Sequence, residues 1–484
     1  FFSVISCHPC PSGRCSRPQQ VMAQKATEGF LRWAIANRVG GVGTHDSLVA
    51  MYHSEDERGL VCCERIHDKQ VIISVPTRIA IKDYEDAPID HLVYAGAPWS
   101  VRLAAQLVAL RKEEKEKCPW APYLAVLPEM VPSPLTTFSW EATQAIQYPA
   151  MDVDLNELIW ITSNAKQQMC KSGKLKTEED MELLEWAMSV VHSRTFATAA
   201  KGGGIGVRML VPVIDMLNHS GDEARGPPGQ QKIIATENVE WKLRAPDPGD
   251  DTNNWHMNLV ALRNIQEGEE LVLSYGERSN DDFLLHYGFV PARNPHDDYV
   301  LFEDWDEAEN WLREGSLLHG DDIAHARIVV DTVYREVDPG ILHYPTARQR
   351  SRLRLKRGGN VDPRLLTGFT AAFRNSTQDR AHAIDFVRKR CRNLLQDYPT
   401  SLVEDLEYLT FAAKEMDQGH GFRELLDYYR GLGGSDPVLL PQQGRSNGEW
   451  LKGRAELDLG VHKAIVYRAY KKMLLADCLF KPVL

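Results

Sequence analysis

The stretch from Leu271 to Val290, Leu-Val-Leu-Ser-Tyr-Gly-Glu-Arg-Ser-Asn-Asp-Asp-Phe-Leu-Leu-His-Tyr-Gly-Phe-Val, constrains the fold of this 484-residue chain more than any other. Leu271, Val272 and Leu273 are a short apolar run of the kind a buried strand shows. Tyr275-Gly276 ends it. Ser279 is placed to cap a helix, with Asp281 and Asp282 in the first turn, where the helix dipole favours negative charge. Phe283, Leu284 and Tyr287 share one helical face, and Gly288 supplies a stop. The pattern predicts strand, turn and helix, with Tyr275 at the strand end and Tyr287 at the helix end.

A second stretch, Met209-Leu-Val-Pro-Val-Ile-Asp-Met-Leu-Asn-His-Ser220, is apolar until it ends in Asn218-His219-Ser220. Polar groups after so apolar an approach either cap a turn or line a site. Upstream, a helix is predicted over Glu28 to Val39, then strands over Ser47 to Tyr52, Gly59 to Ile66 and Gln70 to Val75. Residues 81–200 read as mostly helical. Trp99 to Cys118 carries a leucine stripe and a charged end, and Thr177-Glu-Glu-Asp180 has the form of a capping box. Lys232 to Thr236 and Val239 to Leu243 form a hairpin candidate, and Met257, Leu259 and Ala261 alternate as a half-buried strand. Gly202 to Gly206 lacks the Lys-Ser/Thr of a phosphate loop and is read as a plain loop. From Phe302 onward the period is helical.

Composition narrows the function classes. No run approaches the eighteen or so apolar residues of a membrane span. A formal charge of -11 argues against a general nucleic-acid binder. Arg348, Arg350, Arg352, Arg354, Lys356 and Arg357 form a local basic cluster, read as a solvated face or loop, with an acidic protein surface or nucleic acid as the alternative. Cys7 and Cys10 have C-x2-C spacing, but no second pair completes a zinc site, so no metal is expected. Residues 1–27 hold no Asp or Glu and carry Arg14, Arg17 and Lys25 among Ser, Cys and Pro. That composition suits a transit peptide or a disordered tail.

Together, Asn218-His219-Ser220 and the Tyr275 to Tyr287 stretch resemble the core motifs of SET-domain methyltransferases, in the branch of the Rubisco large-subunit lysine methyltransferases. Further residues join the resemblance: Gly59-Leu60, Ser193-Arg194, Gly268-Glu-Glu270 and, near the end, Tyr398 to Leu406. It implies an α+β fold, a β-rich SET domain of several small sheets with a pseudoknot-like core, a helical insertion and an all-α C-terminal domain. The domains implied are 28–80 for the first SET part, 81–190 for the insertion, 191–295 for the SET core and 296–484 for a helical Rubisco-substrate-binding-like domain. It also implies S-adenosylmethionine as cofactor and a protein lysine as methyl acceptor.

By resemblance, Tyr275 and Tyr287 are the catalytic residues, and Gly59, Leu60, Ser193, Arg194, Asn218 and His219 bind the cofactor. Arg194 suits a carboxylate, which a guanidinium grips with two parallel hydrogen bonds; taken alone it is a helix-end arginine facing the dipole. The chain departs from the branch in two places. Glu57 stands where the first of two glycines is usual, and no tyrosine lies between His219 and Tyr275. A histidine acceptor is the alternative chemistry, and a non-catalytic binding module the alternative class. The expected partner is a protein with a lysine in an accessible segment, with no membrane and no nucleic acid. The compartment expected is the chloroplast, with cytoplasm or nucleus as alternatives; the oligomeric state stays open.

Overall fold

The computed structural model describes residues 17–43, 47–53, 58–83, 89, 91–199, 205–221, 223–224, 233–234, 236–246, 255–292, 294–315, 318–333, 347–373, 379–416 and 458–481. Cys7, Cys10, Cys15, Asp56, Glu57 and the glycines 202–204 lie outside these residues. The chain divides into two units, Phe1–Val131 with Ile159–Gly276, and Pro132–Leu158 with Glu277–Leu484.

The first unit contains strands β1 (Val49–His53), β2 (Arg58–Cys62), β3 (Val71–Pro76), β4 (Ile81–Asp83), β5 (Thr195–Ala199), β6 (Ile205–Leu210), β7 (Asn218–His219), β8 (Glu223–Ala224), β9 (Ile233–Ile234), β10 (Val239–Arg244), β11 (His256–Ala261) and β12 (Glu270–Leu273). They form several small sheets. The largest runs β1-β2-β12-β10-β11-β3, with β7 also on β12; β4-β6-β5 and β8-β9 stand apart. All four residues of β12 are buried, as its apolar run requires. Its first residues pair antiparallel with β2, and its last pair in parallel with β7 and β10. β12 is therefore the strand on which distant segments converge.

Local chemistry sets the helix ends. Thr177 accepts from the Asp180 amide while Asp180 reaches back to Thr177, so the capping box forms and the helix Glu178–Arg194 starts there. The first helix spans Arg17–Ala36, eleven residues earlier at its start than the apolar stripe suggested. Among the described residues the predicted hairpin over 232–243 is not found. β9 pairs with β8, and β10 pairs with β11. Asn238, just before β10, is buried and exchanges two bonds with Val272, so long-range pairing to β12 captures the strand.

The second unit is mainly helical, but the helical period does not extend through 353–361. There the chain forms β14 (Leu353–Lys356) and β15 (Asn360–Val361), in a three-stranded sheet with β13 (Asp298–Phe302). This corrects the all-α expectation and the reading of the basic cluster. Arg352 is buried and forks onto both carboxylate oxygens of Asp154, at 2.7 Å each, and also meets Glu303. Arg354 pairs with buried Asp298. Leu353 and Leu355 fill the core between them, so burial of the strand takes these arginines inward with their carboxylates. The C-terminal helix Leu459–Phe480 likewise buries Arg468, Lys471 and Lys472, each ion-paired with an aspartate. No helix among the described residues is long and apolar enough to cross a membrane.

Candidate active site

The approach to Asn218-His219 is bent by Val213, whose φ is +75° and ψ -54°. A β-branched residue rarely accepts such a backbone, and packing must hold it there; Val213 is fully buried. A short 3-10 turn, Ile214–Met216, follows and delivers the chain to β7. That strand is two residues long. Asn218 lies opposite Val272 and His219 opposite Leu273, and the Ser220 amide donates to Leu273 O at 2.9 Å.

Asn218 is a junction. Its Nδ2 donates to Arg58 O at 2.8 Å and Glu270 Oε1 at 2.7 Å, with Tyr52 Oη 3.3 Å away. Tyr52 Oη donates to the same carboxylate oxygen at 2.9 Å. Glu270 is 3% exposed, so both donors serve to satisfy a carboxylate removed from water. Gly59 makes the cluster possible. A Cβ there would lie 2.7 Å from the Tyr52 ring and 2.8 Å from Glu270 Oε1.

Tyr275 lies two residues beyond the end of β12. Its amide donates to His219 Nδ1 at 3.1 Å, and its hydroxyl donates to Leu217 O at 2.7 Å. The two rings lie 5.1 Å apart. A phenol whose proton rests on a carbonyl can offer a second group only its lone pairs. The hydroxyl is thus set up as an acceptor, and its direction is fixed by the segment that carries Asn218-His219.

Below this lies a charged group. Arg194 Nη1 donates to Asp215 O and Met216 Sδ. Tyr123 Oη donates to Asp215 Oδ2 at 2.5 Å, and Arg58 Nη1 to Val126 O at 2.7 Å. Burial pushes the Asp215 carboxyl up to about 6, against the pull of Arg194, Tyr123 and Arg58. Burial also lowers Arg58 to about 10, aided by the like charge of Arg194. Two buried atoms here have no hydrogen-bond partner among the described residues, Arg194 Nε and Asp215 Oδ1.

The sequence model of the SET domain family matches residues 57–276, the segment that holds every group just described except Tyr52. Residues 57–276 are a SET domain. The chain as a whole is 24% identical to Protein SET DOMAIN GROUP 40 of Arabidopsis thaliana over 423 residues, 79% of each chain. It is 25% identical to the chloroplastic Rubisco large subunit N-methyltransferase of Nicotiana tabacum over 379 residues, 72% of this chain and 68% of the relative. An actin-histidine N-methyltransferase of Danio rerio is 28% identical over 214 residues, 41% of this chain and 30% of the relative. In fold, the chain superimposes on the SET domain of LSMT bound to lysine and AdoHcy with a TM-score of 0.60 at 18% identity, covering 94% of this chain and 90% of that one.

Within the SET domain, the structure brings Asn218, His219, Tyr275, Arg194 and Gly59 into one hydrogen-bonded neighbourhood. Ser193 stays apart, its hydroxyl donating to Val190 O of its own helix. Leu60 is buried, and its main chain lies in the ladder between Met51 and Leu271. Tyr287 belongs to the second unit. It ends a π-helical turn, Phe283–Tyr287, packs on Phe283 and Phe289, and has the Arg278 guanidinium 5.7 Å from its ring. Ser279 caps this segment by accepting from Asp282 N, and Gly288 closes it at φ +74°, as expected. Sequence reasoning passed over Tyr52, Tyr123 and Asp215, and it placed Glu270 in the resemblance without giving it a role. Asp215 did leave a signal, as a carboxylate inside an apolar run; Tyr52 left none.

Proposed function

We propose that this protein is an S-adenosylmethionine-dependent methyltransferase that modifies a lysine side chain of a protein. The observation that carries the reading is the Tyr275 hydroxyl, which donates its proton to Leu217 O in the segment that presents Asn218-His219 and so keeps only its lone pairs to offer a substrate. S-adenosylmethionine supplies an electrophilic methyl group on a positively charged sulfur. The residues present fit its amino-acid end: Arg194 Nε is a buried donor and Asp215 Oδ1 a buried acceptor, each without a partner among the described residues. Arg194, Asn218 and His219 would hold the cofactor, with Gly59 keeping Asn218 in place by leaving room for Tyr52 and Glu270. Leu60 and Ser193 keep the cofactor-binding role given by the resemblance.

A lysine must be neutral to act as nucleophile. Its usual pKa near 10.4 makes deprotonation at pH 7 cost about 4–5 kcal/mol. Desolvation and a nearby positive charge lower that cost, so the protein needs to orient the amine rather than strip it with a strong base. Tyr275 Oη serves by accepting an N–H of the amine or weak C–H contacts from the methyl. Tyr287 is the aromatic group of the acceptor channel, where a ring face stabilises a developing cation. Residues 296–484 are the substrate-recognition part. The relative named as chloroplastic, with the acid-free first 27 residues, supports a plastid location.

A second reading, a histidine acceptor, is favoured by the relatives named actin-histidine N-methyltransferases. Imidazole is largely neutral at pH 7 and asks less of the site. Labelled S-adenosylmethionine and a protein extract, followed by mass spectrometry of the labelled residue, decide between them. Methyl-lysine is expected; methyl-histidine as sole product overturns the lysine claim. Saturating S-adenosylmethionine, at about one hundred times its Kd, is expected to stabilise the fold by roughly 2.7 kcal/mol. No thermal shift would turn the reading toward a binding module.

A further inference from the structure

The π-turn that ends in Tyr287 is gripped at both ends by one face of one helix. Lys463, Tyr467 and Lys471 stand four residues apart on the helix Leu459–Phe480, so they form a single stripe. Lys463 Nζ donates to Gly288 O at 2.7 Å, at the residue that closes the turn. Tyr467 Oη donates to Asp281 Oδ1 at 2.7 Å, just before the turn. Lys471 Nζ lies 2.5 Å from the same Asp281 oxygen and 2.8 Å from Asp297 Oδ1. Asp297 Oδ1 also accepts from the Asn280 amide at 3.0 Å, so the first residue of the segment is held too.

Two features make this more than packing. A π-turn is a rare and weakly preferred conformation, found mostly at functional positions, and it needs outside contacts to persist. Lys471 is fully buried, and a buried ion pair is weak evidence for added stability compared with apolar residues of similar size. What such contacts supply is a defined register. The end of the turn also packs closely on Pro132, where a Cβ on Gly288 would fall 1.3 Å from Pro132 O.

We propose that the Lys463–Tyr467–Lys471 stripe is a positioning device that fixes the ring of Tyr287, acting through Asp281 on one side of the π-turn and Gly288 O on the other. The proposal rests on the reading of Tyr287 as a channel group.

The test uses the full chain with Tyr467→Phe and Lys463→Met, which remove the bonds to Asp281 and to Gly288 O respectively while leaving the buried Lys471 pair intact. Amide hydrogen exchange over 283–288 is expected to quicken in both. Methyl transfer from labelled S-adenosylmethionine to a protein extract is expected to fall about tenfold in kcat, with half-saturation by S-adenosylmethionine within twofold of the parent. Lys463→Arg is expected to restore the rate. Adding Lys463→Met to Tyr287→Leu is expected to cost little beyond Tyr287→Leu alone, because the device has nothing left to position. Unchanged exchange and rate in both single variants, or fully additive losses in the double variant, would overturn the proposal. Parental turnover in Tyr287→Leu alone would instead overturn the channel reading and with it any catalytic meaning of the stripe, while the exchange result still reports on the anchoring.

Discussion

Replacing Tyr275 by Phe removes one oxygen and leaves the ring. In the resting protein that oxygen makes one neutral hydrogen bond, to Leu217 O at 2.7 Å. A bond of this kind contributes about 0.5–1.5 kcal/mol net, so the variant should fold with a modest loss of stability. The amide of residue 275 still donates to His219 Nδ1, and Asn218 keeps its own partners, so cofactor binding should change by less than about threefold. Turnover should respond differently. On the proposed role the variant loses the acceptor that orients the amine, and loss of alignment at a reacting centre costs on the order of 10²-fold, equal to about 2.7 kcal/mol in the barrier. The informative quantity is the split. Equilibrium dialysis or calorimetry gives the cofactor Kd, and single-turnover methyl transfer gives the chemical rate. A variant that transfers methyl within threefold of the parent refutes the assignment. So does a rate loss matched by an equal loss of cofactor affinity, which would make the hydroxyl a structural strut.

Asp215→Asn tests the buried carboxylate through pH. Burial raises the folded pKa of Asp215 from 3.8 to about 6, so the ionised form is the disfavoured one. Its contribution to stability is complete below pH about 4 and is lost as pH rises through about 6, by on the order of 3 kcal/mol. Urea midpoints should therefore diverge in favour of the variant between pH 4 and 6 and run level above; parallel curves throughout would contradict this. Gly59→Ala should destabilise by roughly 1–3 kcal/mol, since its methyl meets Tyr52 and Glu270 within 2.8 Å. Gly29→Ala, where an added methyl meets nothing within 4 Å in the first helix, should stabilise by about 0.5–1 kcal/mol, both glycine variants being read by urea midpoints. Equal effects at the two glycines would show that the Asn218 cluster yields freely.

Much of the frame was legible from residues that act on their near neighbours. Ser279, Gly288 and Thr177 set their helix ends through bonds that span three or four positions. Leu271 to Leu273 declared a buried strand because nothing polar interrupts them. Such signals are complete within a few residues, so no partner needs to be known. What lay beyond reach was every feature whose cause sits far along the chain. Tyr52 and Glu270 meet across 218 positions, and the strand pairing that unites them has no local trace. Instead of the 232–243 hairpin, Asn238 found Val272, and Arg352 and Arg354 turned inward because Asp154, Glu303 and Asp298 were waiting. Val213 adopts a backbone its own side chain resists, which only surrounding packing can impose. The sequence by itself therefore determined the helix ends set by Ser279, Gly288 and Thr177, the buried strand at Leu271 to Leu273, and the motif residues that stand beside them. The tertiary structure alone decided which charges are buried, because the cost of burying a carboxylate or a guanidinium depends on what stands opposite it.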